Sequence, residues 1–293
     1  VVGIGEYSTL QGAIDAAPVG ATIEVCPGTY ASNVTVERDI TLIGAGMHHT
    51  VLDGQNSGTV IHVDGADFTL RDLTVQNGVG DVPPRGFGSG HPCGGGLSGS
   101  YEANQDVTVE RVHFDHNSSR HGGGLCWSGS NNGADATVVV NDSVFTHNTA
   151  EHNGGGIYSY SRLELNNSVV TDNQAIAGGG IYLSYDTFFV DASEVKRNTL
   201  TASSNGGGIH LQQGNLSVLG SDLGIGDDEN GTDDIYVGGT DRYGHFGTDV
   251  DVSCVANNDN RSCSLVASRG QSDILQPDCS SHRIAQVVNA GGY

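Results

Sequence analysis

The sequence predicts an all-β chain that folds as a single right-handed parallel β-helix of about seven coils. Gly-Gly-Gly triplets begin at Gly94, Gly122, Gly154, Gly178 and Gly206, so they recur every 24 to 32 residues. An apolar residue follows each triplet, and an apolar-x-x-Asn unit precedes each of the last four. A repeat of this length holds three short strands and three turns, and its inner face is buried when coils stack. We therefore predict a solenoid and not a flexible glycine-rich linker.

The apolar-x-x-Asn units predict a ladder of stacked side-chain amides. They end at Asn117, Asn148, Asn173 and Asn198, and a weaker copy one coil earlier ends at Asn77. Equivalent positions of successive coils lie about 4.8 Å apart, which lets amides hydrogen bond along the axis. We expect the triplets to adopt backbone conformations closed to other residues, or to let neighbouring coils approach closely.

The two ends of the chain are predicted to cap the solenoid. Residues 8–17 have the pattern of an amphipathic helix, with Leu10, Ile14 and Ala17 on one face. Such a helix would cover the open core and the unpaired strand edge of the first coil. We expect one domain over 1–293, with an N-terminal cap at 1–20, coils at 21–219 and an irregular C-terminal cap at 220–293.

The composition excludes several classes of partner. The chain has 34 Asp and Glu against 12 Lys and Arg, which gives a formal net charge of -22. Such a surface repels nucleic acid and anionic membranes. The sequence also lacks an apolar run long enough to span a bilayer. We expect a monomer, with Val1 as the first residue of a mature or trimmed chain.

Six cysteines without a CxxC motif predict disulfides, and therefore an extracellular or cell-surface protein. Cys93 and Cys126 lie beside successive triplets, so they can bridge adjacent coils. Cys254 and Cys263 flank a polar turn and can form a disulfide that joins the two strands of a hairpin. Cys26 and Cys279 remain without an assigned partner.

Two stretches resemble known families. Leu10-Gln-Gly-Ala-Ile-Asp-Ala-Ala-Pro18, the segment 21–30 and Ile40-Thr-Leu-Ile-Gly44 resemble the opening of the pectin-lyase-like superfamily. The Gly-Gly-Gly-Ile and Phe-x-x-Asn units resemble the repeat of the polymorphic outer-membrane proteins. Together they cover residues 6–220 and imply a β-helix. Because this superfamily holds lyases, hydrolases, esterases, epimerases and adhesins, the resemblance does not imply one activity.

Motifs of particular enzymes within that superfamily are missing here. The Asn-Thr-Asp and Gly-Asp-Asp pattern of polygalacturonases is absent at the matching turns, and so are the aspartates of pectin methylesterases. Some lyases of the superfamily use calcium together with lysine, and the one lysine in this chain is Lys196. Site residues must therefore be predicted from the alignment of the coils.

That alignment brings four candidate catalytic residues together. The turn after the ladder Asn places Arg120 and His121 beside His152 of the next coil, and the following strand adds Tyr158. A lyase needs a cation to neutralise the substrate carboxylate, a base for the α-proton and an acid for the leaving oxygen. Arg120 would be the cation, His121 or His152 the base, and Tyr158 the acid.

A basic and aromatic strip around these residues is predicted to bind an acidic polysaccharide. Side chains at the same position of successive coils should stack into a column. We expect one column of Cys126, Tyr158, Tyr182 and His210, and another of His116, His147, Asp172 and Arg197. The predicted substrate-binding residues are Arg85, His91, His116, His147, Glu151, Tyr160, Tyr182, Arg197 and His210.

Two kinds of metal site are considered. The loop with Asp227, Asp228, Glu229 and Asp233 offers oxygen ligands near glycine turns, so it can hold a structural calcium ion. The alternative is a transition-metal site of His91, His121 and His152, although their spacing matches no standard ligand pattern. We expect no cofactor to be required for the chemistry.

The sequence favours a secreted lyase that cleaves a uronic-acid-containing polysaccharide, such as alginate, pectate or a glycosaminoglycan, by β-elimination. One alternative is a non-catalytic surface adhesin or outer-membrane repeat protein. Another is a glycoside hydrolase or epimerase, although the turns at Arg120 and Glu151 lack the carboxylate pair of an inverting hydrolase. The concentration of unusual residues in two coils favours an enzyme.

Overall fold

A computed structural model describes residues 7–80, 93–99, 105–127, 136–202, 206–219, 221–223, 230, 235–237, 252–257 and 260–265. These residues form a right-handed parallel β-helix, which confirms the predicted fold class. The described strands make seven complete coils and part of an eighth.

The helix and strands have the following bounds. The helix is α1 (Leu10–Ala16). The strands in chain order are β1 (Ala21–Glu24), β2 (Gly28–Ala31), β3 (Val34–Val36), β4 (Ile40–Ile43), β5 (Thr50–Asp53), β6 (Ile61–Val63), β7 (Phe68–Gln76), β8 (Leu97–Gly99), β9 (Val107–Asp115), β10 (Ser118–His121), β11 (Leu125–Trp127), β12 (Thr137–Asn141), β13 (Val144–Thr146), β14 (Thr149–Asn153), β15 (Ile157–Ser159), β16 (Arg162–Asn166), β17 (Val169–Thr171), β18 (Gln174–Ala175), β19 (Ile181–Asp191), β20 (Glu194–Lys196), β21 (Thr199–Leu200), β22 (Ile209–Leu219), β23 (Ile235–Val237), β24 (Val252–Asn257) and β25 (Asn260–Leu265).

The coils stack in parallel along three long faces. The first face contains β1, β4, β7, β9, β12, β16, β19 and β22. The second contains β2, β5, β7, β9, β13, β17 and β20. The third contains β3, β6, β8, β11, β15, β19, β22 and β23. Strands β7, β9, β19 and β22 are long enough to pass through a corner and serve two faces.

A short fourth sheet separates the second face from the third. It consists of β10, β14, β18 and β21, which pair in parallel. Each of these strands follows a ladder Asn and precedes a Gly triplet, so this sheet carries the turn in which the candidate catalytic residues were predicted.

The core lies inside the coils and follows the period-two pattern of half-buried strands. In β12 and β16 the inward residues Val138, Val140, Leu163 and Leu165 are fully buried, while their neighbours are exposed or partly exposed. Identical inward positions stack on each other, as the rings of Phe114 and Phe145 do with centroids 4.7 Å apart. A continuous apolar column therefore runs along the axis.

Helix α1 caps the first coil, as predicted. Thr9 is its N-cap, and the Thr9 hydroxyl accepts a hydrogen bond from the Gly12 backbone N–H. Ile14 is buried against the core. The amide of Gln11 donates to the carbonyl of Thr35 and accepts from its N–H. These two bonds satisfy the exposed edge of β3, which has no preceding coil to pair with.

The buried asparagine ladder is confirmed. The side-chain nitrogen of each Asn donates a hydrogen bond to the side-chain oxygen of the Asn in the next coil, at 2.9–3.0 Å. These bonds run from Asn117 to Asn148, from Asn148 to Asn173 and from Asn173 to Asn198. Asn198 donates in the same way to Asn230 at 3.0 Å. The repeat therefore continues beyond residue 219, where the sequence pattern had suggested that the coils end.

The assignment of Asn77 to the ladder was wrong. The register aligns Val75 with Phe114, so the coil position of Asn117 is occupied by Gly78, whose N–H donates to the Asn117 side chain at 2.9 Å. Asn77 takes the left-handed conformation before it, with φ of 52°. Asn is one of the non-glycine residues that adopt this conformation most readily, so the same residue type serves two different turn positions.

A second ladder, which we did not predict, stacks serine side chains at the corner between the first and second faces. Ser143, Ser168, Ser193 and Ser221 are all buried. The backbone N–H of each of the first three donates to the hydroxyl of the next at 3.0–3.1 Å. The recurring Asn-Asp-Ser-Val and Asn-Asn-Ser-Val segments at 141–144 and 166–169 carry this signal in the sequence.

The Gly triplets fulfil both expected purposes. The first glycine of each triplet is in the left-handed region, with φ between 59° and 74°. At the second and third glycines the coils touch backbone to backbone, and a Cβ on Gly123 would lie 2.5 Å from the carbonyl oxygen of Gly155. Side chains are therefore excluded by the contact between coils as well as by the turn.

The cysteines follow the prediction in part. A disulfide joins Cys93 to Cys126, with 5.6 Å between the two Cα atoms, and so bridges adjacent coils. Strands β24 and β25 form an antiparallel hairpin in which the backbones of Cys254 and Cys263 lie opposite each other. Their predicted disulfide stays a prediction. Cys26 is exposed and has no disulfide within the described residues.

Arg111 and Asp72 form an ion pair between two adjacent coils, and stability should depend on pH through it. The Nε and Nη2 atoms of Arg111 donate to the two carboxylate oxygens of Asp72 at 2.6 and 2.9 Å. The hydrogen bonds from Arg111 outweigh burial and lower the pKa of Asp72. A carboxyl whose pKa is lowered in the folded state stabilises the fold above its unfolded pKa, and this contribution is lost as the pH falls through the folded pKa.

We therefore expect Asp72→Asn to lower the free energy of unfolding in urea by up to about 1 kcal/mol at pH 7, because the pair is partly exposed. The difference from wild type should vanish at a pH below the folded pKa of Asp72. The matched control is Arg111→Gln, alone and combined with Asp72→Asn. Additive effects of the two substitutions at pH 7 would contradict a coupled pair.

Candidate functional site

The fourth sheet brings two of the candidate catalytic residues together, as the alignment predicted. Strands β10 and β14 pair Ser119 with Ala150, shift register by one residue, and then pair His121 with Asn153. The bulge places the rings of His121 and His152 with centroids 5.6 Å apart. His152 is exposed, while Arg120, which precedes His121, is partly buried. Their catalytic role stays a prediction.

An aromatic column on the third face continues from this sheet. Tyr158 lies 5.1 Å from His121 and 5.3 Å from Tyr182 between ring centroids, and Tyr182 stacks on His210 at 4.7 Å. At the other end of the column is Cys126 of the disulfide. The predicted stack of Cys126, Tyr158, Tyr182 and His210 is therefore present.

This column is not the open strip that we expected. Tyr158, Tyr182 and His210 are only 2%, 8% and 7% exposed. Each ring is covered on its faces by the rings of the neighbouring coils, and the edge of Tyr160 contacts Tyr158 at 5.2 Å. The predicted roles of Tyr158 as an acid at the substrate, and of Tyr182 and His210 as substrate-binding residues, do not fit this burial. Tyr160 is partly exposed and Glu151 is exposed, so these two remain candidates for binding.

The second predicted column, which precedes the ladder asparagines, is exposed at His116, His147 and Arg197 and partly buried at Asp172. His116, His147, Asp172 and Arg197 all have a left-handed backbone, with φ from 53° to 57°. Arg197 donates from Nε and Nη2 to the Asp172 carboxylate at 3.1 and 2.9 Å. The rings of His116 and His147 stack with centroids 4.7 Å apart and a 20° angle between their planes.

Asp115 connects the two stacked histidines. Its Oδ2 lies 2.9 Å from Nδ1 of His116, and its Oδ1 lies 3.0 Å from Nδ1 of His147. The Thr146 hydroxyl also donates to Oδ1 at 2.8 Å. Because that hydroxyl gives its proton to Asp115, it accepts the proton of His113 Nε2, which lies 2.7 Å away. One carboxylate therefore organises three histidines and a threonine.

The surroundings of Asp115 keep the carboxylate ionised and His113 neutral. Burial alone would raise the pKa of Asp115, but hydrogen bonds from His116, His147 and Thr146 outweigh it and lower that pKa. Burial lowers the pKa of His113, and this exceeds the opposite effect of Asp115. At neutral pH the cluster thus presents a negatively charged oxygen pair among imidazoles.

Sequence reasoning missed Asp115, His113 and Thr146 as members of a site. Asp115 occupies the second position of the Phe-x-x-Asn unit, where Gln76 and Thr146 stand in the neighbouring coils. That position points outward. The available signal was an acidic residue followed by His116 in its own coil, with His147 at the same position as His116 in the next coil.

Several predicted residues lie outside the described part of the chain. These are Arg85 and His91, which precede the first Gly triplet in the sequence, and Asp227, Asp228, Glu229 and Asp233, the predicted calcium ligands. The calcium site, and the alternative metal site of His91, His121 and His152, therefore stay predictions. The helix in the described part, α1, has seven residues and is much too short to cross a membrane.

Comparison with known proteins gives one family match and several similar folds. Residues 142–160 match the repeat of the Chlamydia polymorphic membrane proteins, and this segment includes β13, β14 and β15. No curated protein matches the chain.

The similar solved structures are β-helical enzymes and a protein from Escherichia coli, at low identity. Escherichia coli YbhC is 14% identical, with a TM-score of 0.40, and the match covers 80% of this chain and 81% of that one. The deglycosylated pectin methylesterase of Aspergillus niger is 12% identical with a TM-score of 0.40, over 85% and 80%. A pectin methylesterase mutant in complex with a hexasaccharide is 12% identical with a TM-score of 0.32, over 89% and 82%.

Proposed function

We propose that this protein is an extracellular lyase that cleaves a uronic-acid-containing polysaccharide by β-elimination on the fourth sheet. The observation that carries the proposal is the position of Arg120 and His121 on β10 beside His152 on β14, with the two imidazole centroids 5.6 Å apart. A guanidinium and two imidazoles then lie on one side of an otherwise acidic protein.

The chemistry divides among these three residues. Arg120 neutralises the carboxylate of the uronate, which makes the proton on the adjacent ring carbon more acidic. His152, the exposed imidazole, removes that proton. The electron pair forms a carbon–carbon double bond, and the bond to the glycosidic oxygen breaks. His121 protonates that oxygen, in place of Tyr158, which is buried.

An extracellular location is supported by the disulfide chemistry. The bond between Cys93 and Cys126 joins two buried sulfurs at adjacent coils. Such bonds persist in oxidising compartments and are rare in the cytosol. The match of 142–160 to a repeat of polymorphic membrane proteins is consistent with a protein at or beyond the cell surface.

One alternative has an observation of its own. The segment that matches the membrane-protein repeat contains His152 and Tyr158, and the buried ring column is packing between coils. Both favour a non-catalytic surface protein that binds a polysaccharide, as an adhesin does, without cleaving it.

The test is to incubate the protein with alginate, pectate and glycosaminoglycans and to follow the ultraviolet absorbance of the unsaturated uronate product. We expect a signal on one of these polymers. His152→Ala and Arg120→Gln should each lower kcat/KM by about 100-fold or more. His49→Ala, which removes an exposed histidine of the second coil, is the matched control and should keep full activity.

The same polymers should be tested for binding by the protein immobilised on a surface. Binding without any ultraviolet product would replace the lyase with the adhesin alternative. Activity that persists in both His152→Ala and Arg120→Gln would place the reaction elsewhere, and neither binding nor product would remove both proposals.

A further inference from the structure

We infer that Asp115, His116 and His147 form a binding site for a divalent transition metal, with Zn²⁺ as its expected occupant. Their ligand atoms all lie within 4.8 Å of one another. The site lies on the column before the ladder asparagines, so it is separate in the chain from the residues of the proposed lyase reaction. The inference does not rest on that proposal.

The donor set suits zinc. Two imidazole nitrogens and one carboxylate oxygen are borderline ligands of the kind that bind Zn²⁺ and its neighbours in the first transition row. Three protein ligands of this type leave a fourth tetrahedral position for water or another small ligand. Calcium and magnesium prefer sites made of oxygen atoms, so they are not expected here.

The geometry is close to what a zinc ion requires. With bonds of about 2.0–2.1 Å, neighbouring ligand atoms of a tetrahedral zinc lie roughly 3.3 Å apart. The two present separations between Asp115 and the imidazole Nδ1 atoms are 2.9 and 3.0 Å. These contacts go to different carboxylate oxygens, Oδ2 for His116 and Oδ1 for His147, and the ligand atoms of the three residues lie within 4.8 Å of one another. Rotations of the three side chains that bring one Asp115 oxygen and both Nδ1 atoms around a common point therefore admit the ion.

The backbone holds the two imidazoles in place. His116 and His147 stand at the same turn position of adjacent coils, each with φ of 53°, and their rings stack. Their side chains are 61% and 54% exposed, so an ion reaches them from solvent without unfolding of the coils. A site with this little freedom loses little conformational entropy when the ion binds.

The carboxylate is held by a chain of hydrogen bonds behind the site. His113 donates to Thr146, and Thr146 donates to Oδ1 of Asp115. Such partners commonly orient metal ligands and raise affinity. In the absence of metal both histidine Nδ1 atoms donate to Asp115. When the ion binds, each neutral imidazole carries its proton on Nε2 and presents the Nδ1 lone pair.

The test measures zinc binding to untagged protein by calorimetry and by competition with a coloured chelator. Co²⁺, used as a probe, should give visible absorption bands of a site with nitrogen and oxygen ligands. His147→Ala and His116→Ala should each weaken zinc binding by about 100-fold or more, and Thr146→Val should weaken it by about 10-fold to 100-fold while all three ligands remain. His152→Ala and His49→Ala are the matched controls and should bind as wild type does.

The variants remain informative because the side chains of His116 and His147 are exposed and circular dichroism verifies that each variant is folded. Zinc should also raise the unfolding temperature of wild type and leave that of His147→Ala unchanged. The inference is overturned if wild type and the double variant His116→Ala/His147→Ala bind zinc equally. It is also overturned if His152→Ala removes the binding and His147→Ala does not.

Discussion

Asn173→Ala is expected to lower the free energy of unfolding by about 4 kcal/mol, because several buried polar groups lose their partners together. The side-chain oxygen of Asn173 accepts hydrogen bonds from the backbone and side-chain nitrogens of Asn148 at 3.0 and 2.9 Å. Its amide nitrogen donates to the carbonyls of Phe145 and Thr171 and to Asn198. Asn173 is fully buried, so water cannot replace these bonds in the folded state.

The measurement is urea unfolding followed by circular dichroism. The matched control is Asn166→Ala in the same coil, because that side chain is partly exposed and makes its hydrogen bond to Asn141 on the outer surface. We expect the control to cost less than about 1 kcal/mol. Equal losses in the two variants would show that the buried ladder contributes no more to the free energy of unfolding than the surface hydrogen bond between Asn166 and Asn141 does.

The ladder illustrates what spacing alone can predict. From Asn117 to Asn198 the apolar-x-x-Asn units occur in phase with the triplets, and the structure stacks every one of them. Asn77 was misplaced because the left-handed turn position also favours Asn. Asn230 was missed because the residue three positions before it is Asp227 and not an apolar residue, so the apolar-x-x-Asn unit is absent there.

The candidate site was predictable in position but not in exposure. Period-two alternation predicts that Tyr158, Tyr182 and His210 point away from the coil axis, and the structure packs Tyr158 and Tyr182 in a cluster separate from the core inside the coils. The pattern contains no information on what covers the outer side of a coil, where ring stacks exclude solvent. The outward direction of Asp115 also follows from the pattern. Its contacts with His116 and His147 do not, because they depend on side-chain rotamers.

Gly155→Ala is expected to have the second large effect, a loss of about 3 kcal/mol, because the triplets set how closely two coils approach. A Cβ on Gly155 would lie 2.3 Å from the carbonyl oxygen of Gly179 and 2.6 Å from the backbone nitrogen of Gln174. Both are backbone atoms, so no side chain can rotate away. The next coil must move, and that movement lengthens the hydrogen bond from Gly155 N–H to the Gly178 carbonyl, now 3.1 Å.

The control must replace a glycine at a position where the added side chain meets no neighbouring coil. Gly20→Asn meets this need, since no atom lies within 4 Å of its added Cβ and Asn tolerates the φ of 76° there. We expect Gly20→Asn to cost less than about 1 kcal/mol in the same urea experiment. A Gly155→Ala variant as stable as this control would mean that the coils separate at little cost. The triplets would then be required for the left-handed turn at Gly154 alone, and close contact between coils would not explain why three glycines stand in a row.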